Sequence, residues 1–301
     1  MACCGSPDIL YVIVPYFNFC AFERRRELFI EFITKIKKNR NVRIIITECI
    51  GNAPLPRMHV WKHFKIETGS ALWIKENLVN IGASFLPKNW KYMAWIDADI
   101  TFLNENWVGD TIDTLALCDV VQMFQTVINL GPSGEPIKTD KSFGYMHKGS
   151  GTPYLKTDKY GFWHPGYAWA CTKKAYVQMG GLIDWAILGS ADRHMALAFI
   201  GKVLDSCPGN IHENYKNLLV EFEYKIKGLT LAWVPGTIVH HWHGSLANRR
   251  YKERWAILTS GVFDPLVDIG FTSDGLVQIS HEGRRLKNPI MNYFIDRSED
   301  S

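Results

Sequence analysis

Tyr92-Met93-Ala94-Trp95-Ile96-Asp97-Ala98-Asp99-Ile100-Thr101 is an apolar run of strand composition that passes straight into two carboxylates one residue apart. Side chains alternate along a strand, so Asp97 and Asp99 are expected on one side and Ala98 on the other. Two anions this close repel each other and lose solvation at a sheet edge, which calls for a cation beside them. A divalent metal meets that need, one acid binding the ion and the other a neighbouring hydroxyl. A strand end that merely turns on Asp gives the same letters, so the surrounding sequence has to separate the two readings.

Upstream, residues 9–15 (ILYVIVP) read as a short strand, and residues 21–38 carry Phe22, Phe29, Ile33 and Ile36 at helical spacing. Residues 42–47 (VRIIIT) form the next strand, ending at Glu48, and a helical segment at 70–81 precedes the strand at 93–97. This alternation predicts an α/β fold with a mixed, mainly parallel sheet flanked by helices, in which ligands lie beyond the carboxyl ends of the strands. Tyr16 and Asn18, Glu48, and the two acids all fall at such ends.

Downstream, 119–125 reads as a strand, and 131–162 as a long Gly-, Pro- and Lys-rich loop of the kind that serves as a lid. Helices are expected at 173–179 and 192–200, a strand at 230–240 and a basic helix at 248–258. There is no internal repeat. With 301 residues, 47% of them hydrophobic and 13% aromatic, the chain can bury the core of one large domain with two abutting lobes. The donor-side lobe is expected at about 1–125, the acceptor-side lobe at about 126–258, and a C-terminal extension at 259–301.

Charge narrows the partners. A formal net charge of +4, from 34 basic and 30 acidic residues, gives no global nucleic-acid footprint. Seven scattered cysteines without a Cys-x-x-Cys pair disfavour a disulfide framework or zinc site and suggest a reducing, cytoplasmic setting. No stretch reads as a membrane span. Cys3-Cys4 could in principle carry a lipid tether, but Ala2 stands where myristoylation needs glycine and no basic patch adjoins the pair.

Two further clusters bear chemistry. His240-His241-Trp242-His243-Gly244-Ser245 puts three imidazoles in four residues at a strand end, and imidazole suits manganese-like metals. Alternation sets His241 and His243 on one side and His240 on the other. Arg249, Tyr251 and Arg254 follow within a dense cationic group suited to a pyrophosphate. Trp163, His164, Tyr167, Trp169, Trp185 and Arg193 combine aromatic faces with glycines, a composition that stacks on sugars but also fills cores. Asp192 reads either as a helix N-terminal residue or as a general base.

Taken together, these residues resemble the GT-A class of nucleotide-sugar glycosyltransferases, nearest its inverting β-1,4-galactosyltransferase-like and family-two-like members. The resemblance spans most of residues 9–258. It lies in the Pro-Tyr-x-Asn strand end, in Lys75 with Leu78-Val79-Asn80-Ile81-Gly82, in Ile96-Asp97-Ala98-Asp99, in the segment ending at Asp192, and in the histidine turn. It implies Mn2+ or Mg2+, a nucleoside-diphosphate sugar donor, UDP by default, and a saccharide or glycan acceptor. Carried over residue by residue, Asp97 contacts the donor ribose or metal, Asp99 ligates the ion, and Lys75 touches the diphosphate. His243 completes the ligand set, with His241 as second choice, and Asp192 is the base. Where such enzymes carry an acidic pair, this chain has Gly189-Ser190-Ala191-Asp192, with one acid missing. A metal-dependent hydrolase or nucleotidyltransferase, and a sugar-binding module without turnover, are the competing readings.

Overall fold

A computed structural model describes residues 8–156 and 163–300. In the first half lie β1 (Leu10–Phe17), α1 (Glu23–Ile36), β2 (Val42–Ile50), β3 (Lys62–Glu67), α2 (Lys75–Ser84), β4 (Tyr92–Ile96), β5 (Ile100–Phe102) and α3 (Trp107–Leu115). There follow β6 (Val120–Gln122), β7 (Thr126–Leu130), β8 (Pro136–Lys141), β9 (Ala168–Thr172), α4 (Lys173–Met179), α5 (Ala191–Ala198) and α6 (Glu213–Lys225). The chain continues with β10 (Leu231–Trp233), β11 (Thr237–His240), α7 (Trp255–Ser260), β12 (Ile269–Phe271), β13 (Val277–Ile279) and α8 (Lys287–Asp296).

Seven strands form the central sheet in the order β10-β6-β9-β4-β1-β2-β3. All its pairings are parallel except those of β9, which runs antiparallel to β4 and β6. Both faces are covered, and the period of two shows in how β1 divides its side chains. Val12, Val14 and Tyr16 enter the core that holds Phe29 and Ile33 of α1, whereas Ile13 and Phe17 enter the core that holds Leu78 and Val79 of α2.

Gly82 sets how closely α2 approaches the sheet. A Cβ there would stand 2.8 Å from Ile13 Cγ2 and 2.8 Å from Thr47 Oγ1, so only glycine lets the helix lie down on β1 and β2. Asn80 then ties α2 to the next segment: its amide donates to the Leu182 carbonyl at 2.9 Å and its oxygen accepts from the Leu182 N–H at 2.8 Å. These two residues of the Leu78–Gly82 frame are scaffold, and they fix where Lys75, at the other end of the helix, points.

Three regions depart from the sequence expectation. The strand foreseen at 230–240 is two strands in two different sheets, because Pro235-Gly236 interrupts it and Gly236 takes a φ of 137°. β11 lies in a separate sheet of order β5-β11-β7-β8, which individual short strands did not signal. The loop foreseen at 131–162 holds β8, paired antiparallel with β7, and residues 157–162 of it lie outside the described residues. The basic helix foreseen at 248–258 is broken by Arg250, whose φ of 42° is left-handed; regular helix begins only at Trp255.

No helix among the described residues is long and apolar enough to cross a membrane. Cys3 and Cys4 lie outside the described residues.

Candidate active site

β4 stops at Ile96, and residues 97–99 turn before β5 begins at Ile100. The alternation expected across the two acids therefore ends one residue too early to govern them. The Asp97 N–H donates to the Tyr167 carbonyl at 2.7 Å, which pins the turn beside the start of β9. From there the two carboxylates enter two separate charge clusters.

Asp97 belongs to the first. Lys75 Nζ lies 2.7 Å from Asp97 Oδ1 and 3.0 Å from Asp192 Oδ2, and the lysine itself is buried. Glu76, also buried, follows it in the first turn of α2. One cation thus faces two carboxylates, with the Glu76 carboxyl on the next residue. Burial works against the Lys75 charge, but Asp192 and Asp97 outweigh it and hold the ammonium well above its ordinary pKa. Burial raises Asp97 to about 6, with Lys75 opposing and Asp192 assisting. Asp192 sits in the first turn of α5, behind Ser190, which takes a left-handed φ of 81°. Its Oδ2 faces Gly166, where a Cβ would come within 3.4 Å. Its Oδ1 is buried with no hydrogen-bond partner among the described residues.

Glu76 gives this cluster a measurable signature. Burial pushes its carboxyl from 4.5 up to about 8, with Lys75 acting the other way. The folded protein therefore holds a proton that the unfolded chain releases between those pH values. Stability is full at the acid end and falls as pH rises through the window. Glu76→Gln should flatten the pH dependence of the unfolding free energy across this range, by an amount on the order of a few kcal/mol at its alkaline end, and that of the melting temperature with it. A melting curve whose pH profile matches wild type would show that Glu76 ionises normally.

Asp99 belongs to the second cluster. Its Oδ2 lies 2.9 Å from His243 Nε2 and 3.6 Å from His240 Nε2, and the two imidazole nitrogens are 3.4 Å apart. Burial opposes the Asp99 charge, but the His240 and then the His243 ring, each acting when it carries a proton toward Oδ2, hold the carboxyl well below its usual range. Burial likewise lowers His240, to about 4, so its ring is neutral at pH 7. Its proton can be assigned from its partner: Asn129 Oδ1 sits 3.1 Å from His240 Nδ1 and already accepts from the Tyr167 hydroxyl at 2.9 Å. The Asn129 amide nitrogen donates to Asp140 at 3.1 Å, which fixes which end of the amide is oxygen. His240 therefore carries its proton on Nδ1 and aims the Nε2 lone pair at Asp99 and His243.

This arrangement fits a divalent cation. A carboxylate and an imidazole lone pair converge on the edge of His243, while Asp99 Oδ1 is buried without a hydrogen-bond partner among the described residues. Arg249 donates to His243 Nε2 at 2.8 Å, a cation already drawn to the same spot. Two nitrogens and a carboxylate oxygen make a borderline-hard donor set suited to Mn2+-like ions.

Both clusters line one cavity at the carboxyl ends of β1 and β4, together with Tyr16, His164, Tyr167, Arg193, Tyr251 and Arg254. His164 stacks on Tyr167 with centroids 4.0 Å apart and planes 5° from parallel. Burial drives His164 down to about 3, so this face is uncharged. Tyr167 has a φ of 77°, a strained conformation for a bulky residue and a mark of site residues held by their surroundings. Arg254 donates to Ser190 Oγ at 2.5 Å, tying the cationic segment to the start of α5.

Six residues named from the sequence lie elsewhere. Asn18 accepts from the Phe22 N–H at 3.0 Å and steadies the entry to α1. Glu48 is buried and satisfied by the Leu55 N–H at 2.6 Å and by His63 at 2.7 Å. Trp163 packs against Phe143 and Trp169 stacks on Trp95 as core, and the half-buried Trp185 packs on that core, meeting Tyr215 edge-on at 4.7 Å. His241 bonds Thr101 at 2.8 Å and stands outside the cluster, whereas His240, read as facing away, is inside it. β11 ends at His240, so strand parity no longer relates these rings and the turn brings His240 and His243 together. Arg25, Trp73, Glu76 and Arg297 also line the cavity, beyond the residues expected from the sequence. Arg25 stood in the basic run after Pro-Tyr-Phe-Asn; Arg297 carried no local signal.

No protein-family model matches the chain, and no curated protein matches it. Among solved structures, it is similar to a mannosyltransferase from Pyrobaculum calidifontis, solved with GDP-Man and Mn2+, at a TM-score of 0.51 and 12% identity, over 96% of this chain and 72% of that one. It is also similar to glucosyl-3-phosphoglycerate synthase from Mycobacterium tuberculosis, at a TM-score of 0.43 and 10% identity, over 91% of this chain and 87% of that one. For the catalytic domain of Drosophila β1,4-galactosyltransferase 7 with xylobiose, the TM-score is 0.37 and the identity 14%, over 76% of this chain and 65% of that domain's length. At these identities the likeness is one of fold, and it is carried by the mannosyltransferase, the one of these three with a TM-score above 0.5. The mixed α/β architecture, with its mainly parallel sheet flanked by helices, is the GT-A type.

Proposed function

We propose that this protein is a metal-dependent glycosyltransferase that moves a sugar from a nucleoside-diphosphate sugar, UDP-sugar foremost, to a saccharide or glycan hydroxyl with inversion. The observation that carries the reading is the meeting, in one cavity at the strand ends, of the Asp99-His240-His243 group with the Lys75-Asp97-Asp192 group. Asp99, His240 and His243 would hold Mn2+ or Mg2+, which supplies positive charge for a diphosphate leaving group. Arg249, 2.8 Å from His243, adds a fixed cation beside those three residues, and Arg254, held by Ser190, adds another in the same cavity, preorganised where negative charge develops. Asp192 takes the acceptor proton on Oδ1, the acceptor oxygen bonds the anomeric carbon, and the bond from that carbon to the diphosphate oxygen breaks. Lys75, 3.0 Å from Asp192 Oδ2, orients the carboxylate from that side and leaves Oδ1 for the acceptor. The uncharged His164–Tyr167 face offers a stacking surface for a sugar ring.

Asp192→Asn should lower turnover by roughly 10²–10⁴-fold with donor affinity retained. Single-turnover transfer and donor binding measured on the same variant check this; a wild-type rate would move the base elsewhere. The Lys75–Asp192 ion pair favours one other reading, a sugar-binding module whose carboxylate is neutralised and does not turn over. Donor consumption with Mn2+, measured with and without a saccharide acceptor, separates the two. Acceptor-dependent release of nucleoside diphosphate supports transfer. Acceptor-independent release supports hydrolysis, and donor binding without release supports the module.

A further inference from the structure

The segment after α8 returns to the histidine turn, more than fifty residues upstream. Gly244, with a φ of 86°, lies so close to it that a Cβ would stand 2.8 Å from the Ser298 carbonyl oxygen and 2.9 Å from Glu299 Cα. Asp300 accepts from the N–H groups of Glu23 and Arg24 at 3.0 and 2.8 Å, closing the start of α1. Between these two anchors, Glu299 is buried to 2% exposure. Its Oε1 accepts from Arg297 Nε at 2.6 Å, and its Oε2 lies 2.9 Å from Arg25 and 3.5 Å from His243 Nδ1. That His243 nitrogen is itself buried and has no hydrogen-bond partner among the described residues.

We infer that Glu299 is a positioning residue for the metal site, holding the His243 proton on Nδ1 so that the Nε2 lone pair faces Asp99. This rests on the metal reading proposed above. The physical case is the parallel between the two imidazoles: Asn129 on β7 stands behind His240 as a hydrogen-bond acceptor 3.1 Å from its Nδ1, and the Glu299 carboxylate stands behind His243, 3.5 Å from an Nδ1 that has no hydrogen-bond partner among the described residues. Each ring thus has an acceptor behind it, drawn from a distant part of the chain, and the two Nε2 atoms converge 3.4 Å apart beside one carboxylate. Carboxylates and amides behind ligating histidines fix tautomer and ring angle and raise metal affinity. Arg25 and Arg297 would be satisfied by any carboxylate in reach; orienting His243 is the task that needs this one where it is.

The test uses the full chain, wild type beside E299Q, D300N and D99N, with Mn2+ titrations followed by the electron paramagnetic resonance signal of the free ion. E299Q should weaken Mn2+ binding by roughly 10–100-fold. D300N, which removes a helix contact but touches neither imidazole, should stay within about twofold of wild type. In the metal-free protein, nitrogen-resolved NMR should show His243 of E299Q leaving the Nδ1–H tautomer. That second readout needs neither metal nor activity. Should E299Q fail to fold, E299D keeps the charge but draws it back by one methylene, and it should weaken binding in the same direction. Wild-type affinity with an unchanged tautomer in E299Q, or in E299D read in its place, overturns the inference. If D99N loses Mn2+ while E299Q keeps it, only the inference falls. If wild type binds no Mn2+, the metal reading and the inference fall together.

Discussion

Asp99→Asn should abolish metal-dependent sugar transfer. The substitution is nearly isosteric, so the turn after β4 and its bond to the Tyr167 carbonyl should survive, and what is lost is the negative charge between two imidazoles. Charge stabilisation by a bound ion contributes several kcal/mol to such reactions, and about 1.4 kcal/mol is a factor of ten in rate. A loss of at least about 10³-fold in turnover follows, with Mn2+ affinity falling in parallel. Transfer assays across a Mn2+ series, with the melting temperature as a check on folding, measure it. Full activity in this variant would remove the proposed function, because no other group of three metal-binding side chains stands together among the described residues.

Lys75→Met should have the largest effect on stability. The lysine is 5% exposed and lies within 3.0 Å of two carboxylates, with a third on the next residue. Removing one partner of a buried ion pair leaves the other charge uncompensated and costs about 3–5 kcal/mol. For a chain of this size that is a fall of roughly 6–10 °C in melting temperature. Two controls identify the cause. The deficit should shrink as pH falls and the stranded carboxylates protonate, and Lys75→Met combined with Asp192→Asn should recover part of it, since the two residues share one contact. A single variant as stable as wild type would mean that water or rearrangement already solvates these acids.

Much of the framework is legible in the chain because parallel sheets write themselves plainly. β1, β2 and β4 are buried on both faces, so β1 and β4 appear as largely apolar runs followed by Asn18 and Asp97, while β2 carries an apolar centre at Ile44–Ile46 and continues past Glu48 to Ile50. Asp97 and Asp99 after β4, Lys75 and Asp192 at helix starts and His243 in the turn after β11 could be picked out as chemically unusual, and all five line the cavity. The tryptophans could not be assigned so readily. An indole that stacks on a ligand and one that fills a core have the same local sequence, and Trp163, Trp169 and Trp185 turned out to pack inward.

Residue order alone determined an alternating α/β chain with acids and imidazoles at strand ends, since burial periodicity and the rarity of clustered charge are local properties. Tertiary structure decided the rest. It separated Asp97 from Asp99, one toward Lys75 and one toward His243, because the strand ended at Ile96 before parity could act. It chose His240 over His241, because a turn rather than a strand joins it to His243. It also brought Arg297 and Glu299 against a site whose other members lie as far back as Arg25, a long-range closure that no window of neighbouring residues encodes.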